Sequence, residues 1–119
     1  MSLVDENFSL YSGEDGLILP ILSAGGVGVI SVLSNVAPKE THEICAKWFA
    51  GDLGGARKEQ LRALPLIHAL FSEVNPIPVK AAMNLQGKNA GPLRLPLTEI
   101  EKEHLEILKK EMIRYGVLQ

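Results

Sequence analysis

A single cysteine, Cys45, in a chain of 119 residues excludes an internal disulfide and a cysteine-built metal centre. It reads as a small buried hydrophobe on a helix. Basic excess is missing too: 12 Lys plus Arg face 14 Asp plus Glu, the formal net charge is −2, and no basic run occurs. That balance leaves no electrostatic footprint for nucleic acid or an anionic membrane surface. Long apolar runs are lacking, because Pro20, Gly25, Gly26 and Gly28 interrupt every candidate well before the ~20 residues that a membrane-spanning helix requires. The opening stretch, Met1-Ser-Leu-Val-Asp-Glu-Asn7, carries acids where a secretory signal carries bases, so a cytoplasmic setting is expected. His42, His68 and His104 are too dispersed for a ligand set, and neither a metal nor an organic cofactor is expected.

Strand signal is scarce and confined to the first part of the chain. Phe8 to Tyr11 alternates, which predicts a strand over Asn7 to Tyr11 ending at Ser12-Gly13. The segment Gly26-Val-Gly-Val-Ile-Ser-Val32 is an uninterrupted β-branched run, which predicts a second strand over Gly26 to Leu33, of the kind covered on both faces in parallel sheets. Between them Leu17, Ile18, Ile21 and Leu22 recur at helical spacing, with Pro20 inside and Gly25-Gly26 as the stop. Ser12 and Asp15 have the spacing of a capping pair. After Ser34-Asn35, Pro38 suits a first helical turn, followed by an apolar face of Ile44, Cys45, Trp48 and Phe49. The order so far is β-α-β-α.

A composition shift at Gly51-Asp52 divides the chain into residues 1–51 and a helical region, residues 52–119. Leu61, Leu64, Ile67 and Phe71 predict a helix broken or kinked by Pro65. Asn75-Pro-Ile-Pro78 reads as an extended connector before a short helix from Val79 to Leu85. Pro92 to Pro96 is a second connector. The last helix is predicted to open with Thr98 and Glu101 as a capping box, to bury Leu105, Leu108, Met112 and Tyr115, and to stop at Gly116. Two strands rarely make an independently stable sheet, so further strands are expected from elsewhere, either a preceding portion or another copy in a homo-oligomer.

Five strings, Tyr11-Ser-Gly-Glu-Asp15, Gly25-Gly-Val-Gly-Val-Ile-Ser-Val32, Ser34-Asn-Val-Ala-Pro38, Asn75-Pro-Ile-Pro-Val-Lys80 and Leu93-Arg-Leu-Pro-Leu97, occur in the order and spacing of one family. The chain resembles the C-terminal portion of the dihydrodipicolinate synthases, within the pyruvate-dependent class I aldolase and N-acetylneuraminate lyase superfamily. The resemblance implies an α/β fold, the last two βα units of a (β/α)8 TIM barrel followed by a C-terminal helical region. It implies a lyase-type enzyme of lysine and diaminopimelate biosynthesis that condenses pyruvate with aspartate semialdehyde through a lysine Schiff base. In the family that lysine sits on the sixth strand, upstream of the segments matched here, and no lysine of this chain takes its place. Lys80 reads as structural. The chain alone is therefore expected to be inactive, with no catalytic residue assigned.

Two positions carry over as substrate contacts: Gly13 and Ile30, lining the pyruvate pocket through their main chains. Ser12 either caps the following turn or faces the substrate. Gly26-x-Gly28 precedes its strand, so it is not a dinucleotide fingerprint, and Glu14 and Asp15 read as acids placed favourably at a helix N-terminus. Two alternatives stay open: a non-catalytic oligomerisation or interaction module, and a piece of a related sugar-acid aldolase, against which the Asn75 string argues.

Overall fold

The computed structural model describes residues 3–5 and 7–119, so that Met1, Ser2 and Glu6 of the opening stretch lie outside the described residues. Two short parallel strands, β1 (Tyr11–Ser12) and β2 (Gly28–Val29), flank helix α1 (Ile18–Ser23). Four longer helices follow: α2 (Pro38–Phe49), α3 (Leu53–Leu70), α4 (Ile77–Leu85) and α5 (Lys102–Tyr115). Helix α2 packs on α3, α3 on α5, α4 on α5, and α1 on both α2 and α3. One hydrophobic cluster runs through all of them, from Ile18 and Leu33 through Ile44, Leu66 and Leu70 to Leu108 and Met112.

The strands are shorter than the alternation and the β-branched run suggest. Ladder bonds from Val27 N–H to the Leu10 carbonyl and from Ile30 N–H to the Ser12 carbonyl, both 2.8 Å, extend the pairing slightly. Beyond Ile30 the backbone turns: Val32 is right-handed helical and Leu33–Asn35 is a 3-10 turn. The physical reason is a competing acceptor, because the N–H groups of Val32 and Leu33 are taken by the Asp15 carboxylate and are lost to any ladder. The β-branched run is also uncovered on one side. Val29 and Val32 pack on the core, whereas Val27 is 43% and Ile30 70% exposed.

The helices follow the sequence more closely, with corrections at their ends. Pro38 occupies the first turn of α2, and Ile44 is fully buried, but Phe49 points outward. Burial raises the Cys45 thiol above its usual pKa, as fits a packing role. Asp52 caps α3 by accepting from Gly55 N–H at 2.8 Å. Pro65 does not break α3, which continues to Leu70. The buried stripe of α3 is Ala56, Gln60, Ala63, Leu66, Ile67 and Leu70, leaving Leu61 and Phe71 exposed; small residues let α2 and α5 approach closely. Helix α4 starts at Ile77 instead of Val79, because Pro78 near a helix start lacks only an N–H that has no intrahelical partner anyway.

At α5 Leu108, Met112 and Tyr115 of the expected stripe are buried and Leu105 is half-buried, and Gly116 ends the helix with φ 92, a conformation that favours glycine. The Thr98-Glu101 capping box does not form. Glu73, arriving from the turn after α3, fills the role instead: its Oε1 accepts from Glu101 N–H at 2.9 Å and lies 2.8 Å from His104 Nδ1. Burial tends to raise the Glu73 carboxyl, but the Glu101 N–H and the His104 ring outweigh it and hold it below the usual carboxylate range. A depressed folded-state value contributes stability above the ordinary carboxylate pKa and loses it as pH falls. Unfolding midpoints of the parent chain and Glu73→Gln should therefore differ at neutral pH and converge as pH drops from about 5 to about 3. A second expectation concerns neighbours on α5: Leu108→Ala, at a fully buried position, should cost roughly 2–5 kcal/mol in denaturant unfolding, whereas Ile107→Ala, at a 45% exposed one, should cost under about 1 kcal/mol.

Candidate functional site

The parallel pairing of β1 and β2 places their C-terminal ends at one edge. Tyr11 pairs with Gly28 and Ser12 with Val29. The pairing stops there, and Gly13 and Ile30, the two positions proposed as substrate contacts, are the residues that follow the two strand ends, with Ile30 N–H donating to the Ser12 carbonyl. Gly13 is exposed, and a Cβ built on it would meet nothing within 4 Å. The Ile30 N–H is committed to Ser12, which leaves its carbonyl as the main-chain group a ligand can meet.

Ser12 is buried, and its hydroxyl is used locally: it donates to the Glu14 carbonyl at 2.7 Å and accepts from Glu14 N–H at 3.2 Å. Glu14 in turn caps the 3-10 turn Asp15–Leu17, its Oε1 accepting from Gly16 N–H at 2.6 Å. The helix-start reading thus holds for Glu14. Asp15 departs from it, and the Ser12-Asp15 capping pair does not form.

Asp15 is 1% exposed, and its carboxylate crosses to the segment after β2. Oδ1 accepts from the Ser31 hydroxyl, and Oδ2 accepts from Val32 N–H at 3.0 Å and Leu33 N–H at 2.9 Å. Its main-chain carbonyl accepts from Gln60 Nε2 of α3 at 2.9 Å. Ser31 Oγ also accepts from Ser34 N–H at 2.9 Å. Moving a carboxylate out of water costs several kcal/mol, and three donors aimed at it offset that cost; removing one side of such an arrangement typically costs about 3–5 kcal/mol. Spacing could not reveal this, because Asp15 and its partners stand 16 to 18 residues apart. The one available signal was the excess of donors in Ser31 to Ser34, and it does not name an acceptor.

Lys47, Lys80 and Lys88 are tied to neighbouring acceptors, Lys88 by donating to the Asn35 carbonyl at 2.8 Å. Lys47, on α2, pairs with Glu59 of α3 at 2.8 Å, and that hydrogen bond raises its pKa, opposite to what a nucleophilic amine requires. Lys80, on α4, donates to the Pro92 carbonyl at 2.6 Å. Among the described residues no cluster of His, Cys, Asp and Glu gathers that could hold a metal, and no helix is long and apolar enough to cross a membrane.

Parallel strands that present their C-terminal ends together, with a crossover helix between them and helices packed on one side, define an α/β protein of the kind that binds ligands at that edge. Comparison narrows the class. The model of the dihydrodipicolinate synthetase family matches residues 1–114. The 4-hydroxy-tetrahydrodipicolinate synthase of Lachnoclostridium phytofermentans is 57% identical over 109 residues, 92% of this chain and 37% of that protein. Its counterpart in Caldicellulosiruptor bescii is 51% identical over 117 residues, 98% of this chain and 40% of that protein. Among solved structures, the dihydrodipicolinate synthase of Thermotoga maritima superposes with a TM-score of 0.92 at 46% identity, covering 94% of this chain and 38% of its own. The chloride-inhibited enzyme of Acinetobacter baumannii complexed with pyruvate superposes at 0.88 and 35% identity, covering 93% and 38%. The chain belongs to the dihydrodipicolinate synthetase family. It spans about two fifths of the length of the relatives it matches.

Proposed function

We propose that this chain supplies the last two βα units of a (β/α)8 barrel, in residues 1–51, and the helical region after it, in residues 52–119, to an enzyme that condenses pyruvate with aspartate semialdehyde. The observation that carries the reading is the parallel pairing of β1 and β2, whose ends are followed by Gly13 and Ile30, with Ile30 N–H donating to the Ser12 carbonyl. Barrel enzymes gather their reacting groups at that edge. A position without a side chain there lets main chain approach a keto acid closely, and the Ile30 carbonyl supplies a fixed acceptor beside it. Ser12 bounds the pocket and holds its turn through the paired bonds to Glu14.

In this reading the Schiff-base lysine comes from outside the 119 residues. That lysine attacks the pyruvate carbonyl and loses water to form the iminium. Loss of a methyl proton gives an enamine, which then adds to the aldehyde. The open side of the sheet, where Tyr11 and Ile30 are exposed, is covered by the remaining strands or by another copy of the chain. The setting is cytoplasmic, and the product feeds lysine and diaminopimelate synthesis.

Borohydride reduction in the presence of pyruvate tests this. The chain alone should acquire no mass adduct. Joined to the preceding part of the L. phytofermentans relative, about three fifths of that protein, it should trap one pyruvate per subunit and condense it with aspartate semialdehyde. In that chimera Gly13→Val should raise the KM for pyruvate about tenfold or more, by filling the space beside the strand end. Trapping by the isolated chain, or an unchanged KM in Gly13→Val, would contradict the reading.

A further inference from the structure

We propose that Asp15 is a positioning residue for pyruvate, acting through the main chain of Ile30; this rests on the function proposed above. Ile30 is held from both sides. Its N–H is tied to the Ser12 carbonyl at 2.8 Å, and the residues directly after it are tied to one carboxylate, through the Ser31 hydroxyl and the N–H groups of Val32 and Leu33. The Ile30 carbonyl belongs to the same peptide unit as the Ser31 nitrogen. Rotating that carbonyl displaces Ser31, and Ser31 is fixed by donating to Asp15 and by accepting from Ser34 N–H.

The other end of the strut is equally fixed. Asp15 follows the turn that Ser12 and Glu14 close beside Gly13, and Gln60 of α3 anchors its carbonyl. One buried side chain therefore ties together the segments that follow the two strand ends, and with them the orientation of the Ile30 carbonyl that a three-carbon keto acid would meet. A side chain needed only to cap the start of the 3-10 turn at Leu33–Asn35 would require the two amide bonds and not the hydroxyl bond to Ser31. The third bond reaches the residue adjacent to Ile30, where orientation matters. Small displacements of a positioning group carry large kinetic penalties.

The test uses the active chimera described above. Asp15→Asn, which replaces one acceptor oxygen with an NH2 facing donors, should raise the KM for pyruvate about tenfold or more, with a smaller change in kcat. Ser31→Ala keeps both amide bonds and should raise that KM about threefold with little loss of Tm. Leu108→Ala, destabilising but remote from this network, should leave the KM within about twofold of the parent. If Asp15→Asn fails to fold, Ser31→Ala decides alone. A pyruvate KM unmoved in Asp15→Asn, or in Ser31→Ala, overturns the proposal, as does an equal KM increase in Leu108→Ala. A folded parent chimera that traps no pyruvate sinks the functional reading, and this proposal with it, before any variant is made.

Discussion

The carboxylate of Asp15 is the constraint on which the strand-end geometry depends. Two strands of two residues each carry little pairing of their own, and a lone strand pair is marginal in water. What fixes their C-terminal ends is a buried anion that collects a hydroxyl and two amides from one βα unit while its own carbonyl is held by α3. Its partners, one hydroxyl and two amides, satisfy both carboxylate oxygens directly. That arrangement is directional in a way that hydrophobic packing is not, so it specifies orientation at the place where a ligand would need it.

The remaining helices serve this arrangement from one side. Helix α3 bridges the molecule: Gln60 reaches the strand ends, Glu59 pairs with Lys47 of α2, and Arg62 lies 4.5 Å over the Tyr115 ring of α5. The core therefore joins the strand-bearing residues to the C-terminal helix without interruption, while the opposite face of the sheet, at Tyr11 and Ile30, stays open. A molecule so divided between a finished helical side and an unfinished strand side is asymmetrical in a physically meaningful way. The open side has edges that another segment can pair with.

How much of this the sequence disclosed depends on whether a feature is local. The α5 stripe, the Gly116 stop, Pro38 at the start of α2 and the β-α-β-α order follow from spacing and turn chemistry, and all are present. The motif strings disclosed the family. Features set by distant partners were not legible. The second strand ends early because Asp15 takes its amides, and the α5 cap comes from Glu73, 28 residues before Glu101. The apolar face of α3 is misplaced by spacing because its interior is lined by alanines and Gln60, which give a weak hydrophobic signal, while Leu61 and Phe71 give a strong one and face out. Gly13 and Ile30 were proposed through the family pattern and follow the paired strand ends, while Asp15 emerged only from the three-dimensional hydrogen bonding.

A crystal structure of the chimera after pyruvate has been trapped by borohydride tests the central claim most directly. The account predicts the pyruvate-derived carbons against Gly13 and Ile30, with a polar atom about 3 Å from a main-chain group of one of them and the Asp15 bonds to residues 31, 32 and 33 intact. Pyruvate bound elsewhere, with Gly13 and Ile30 facing only solvent or protein, would contradict it.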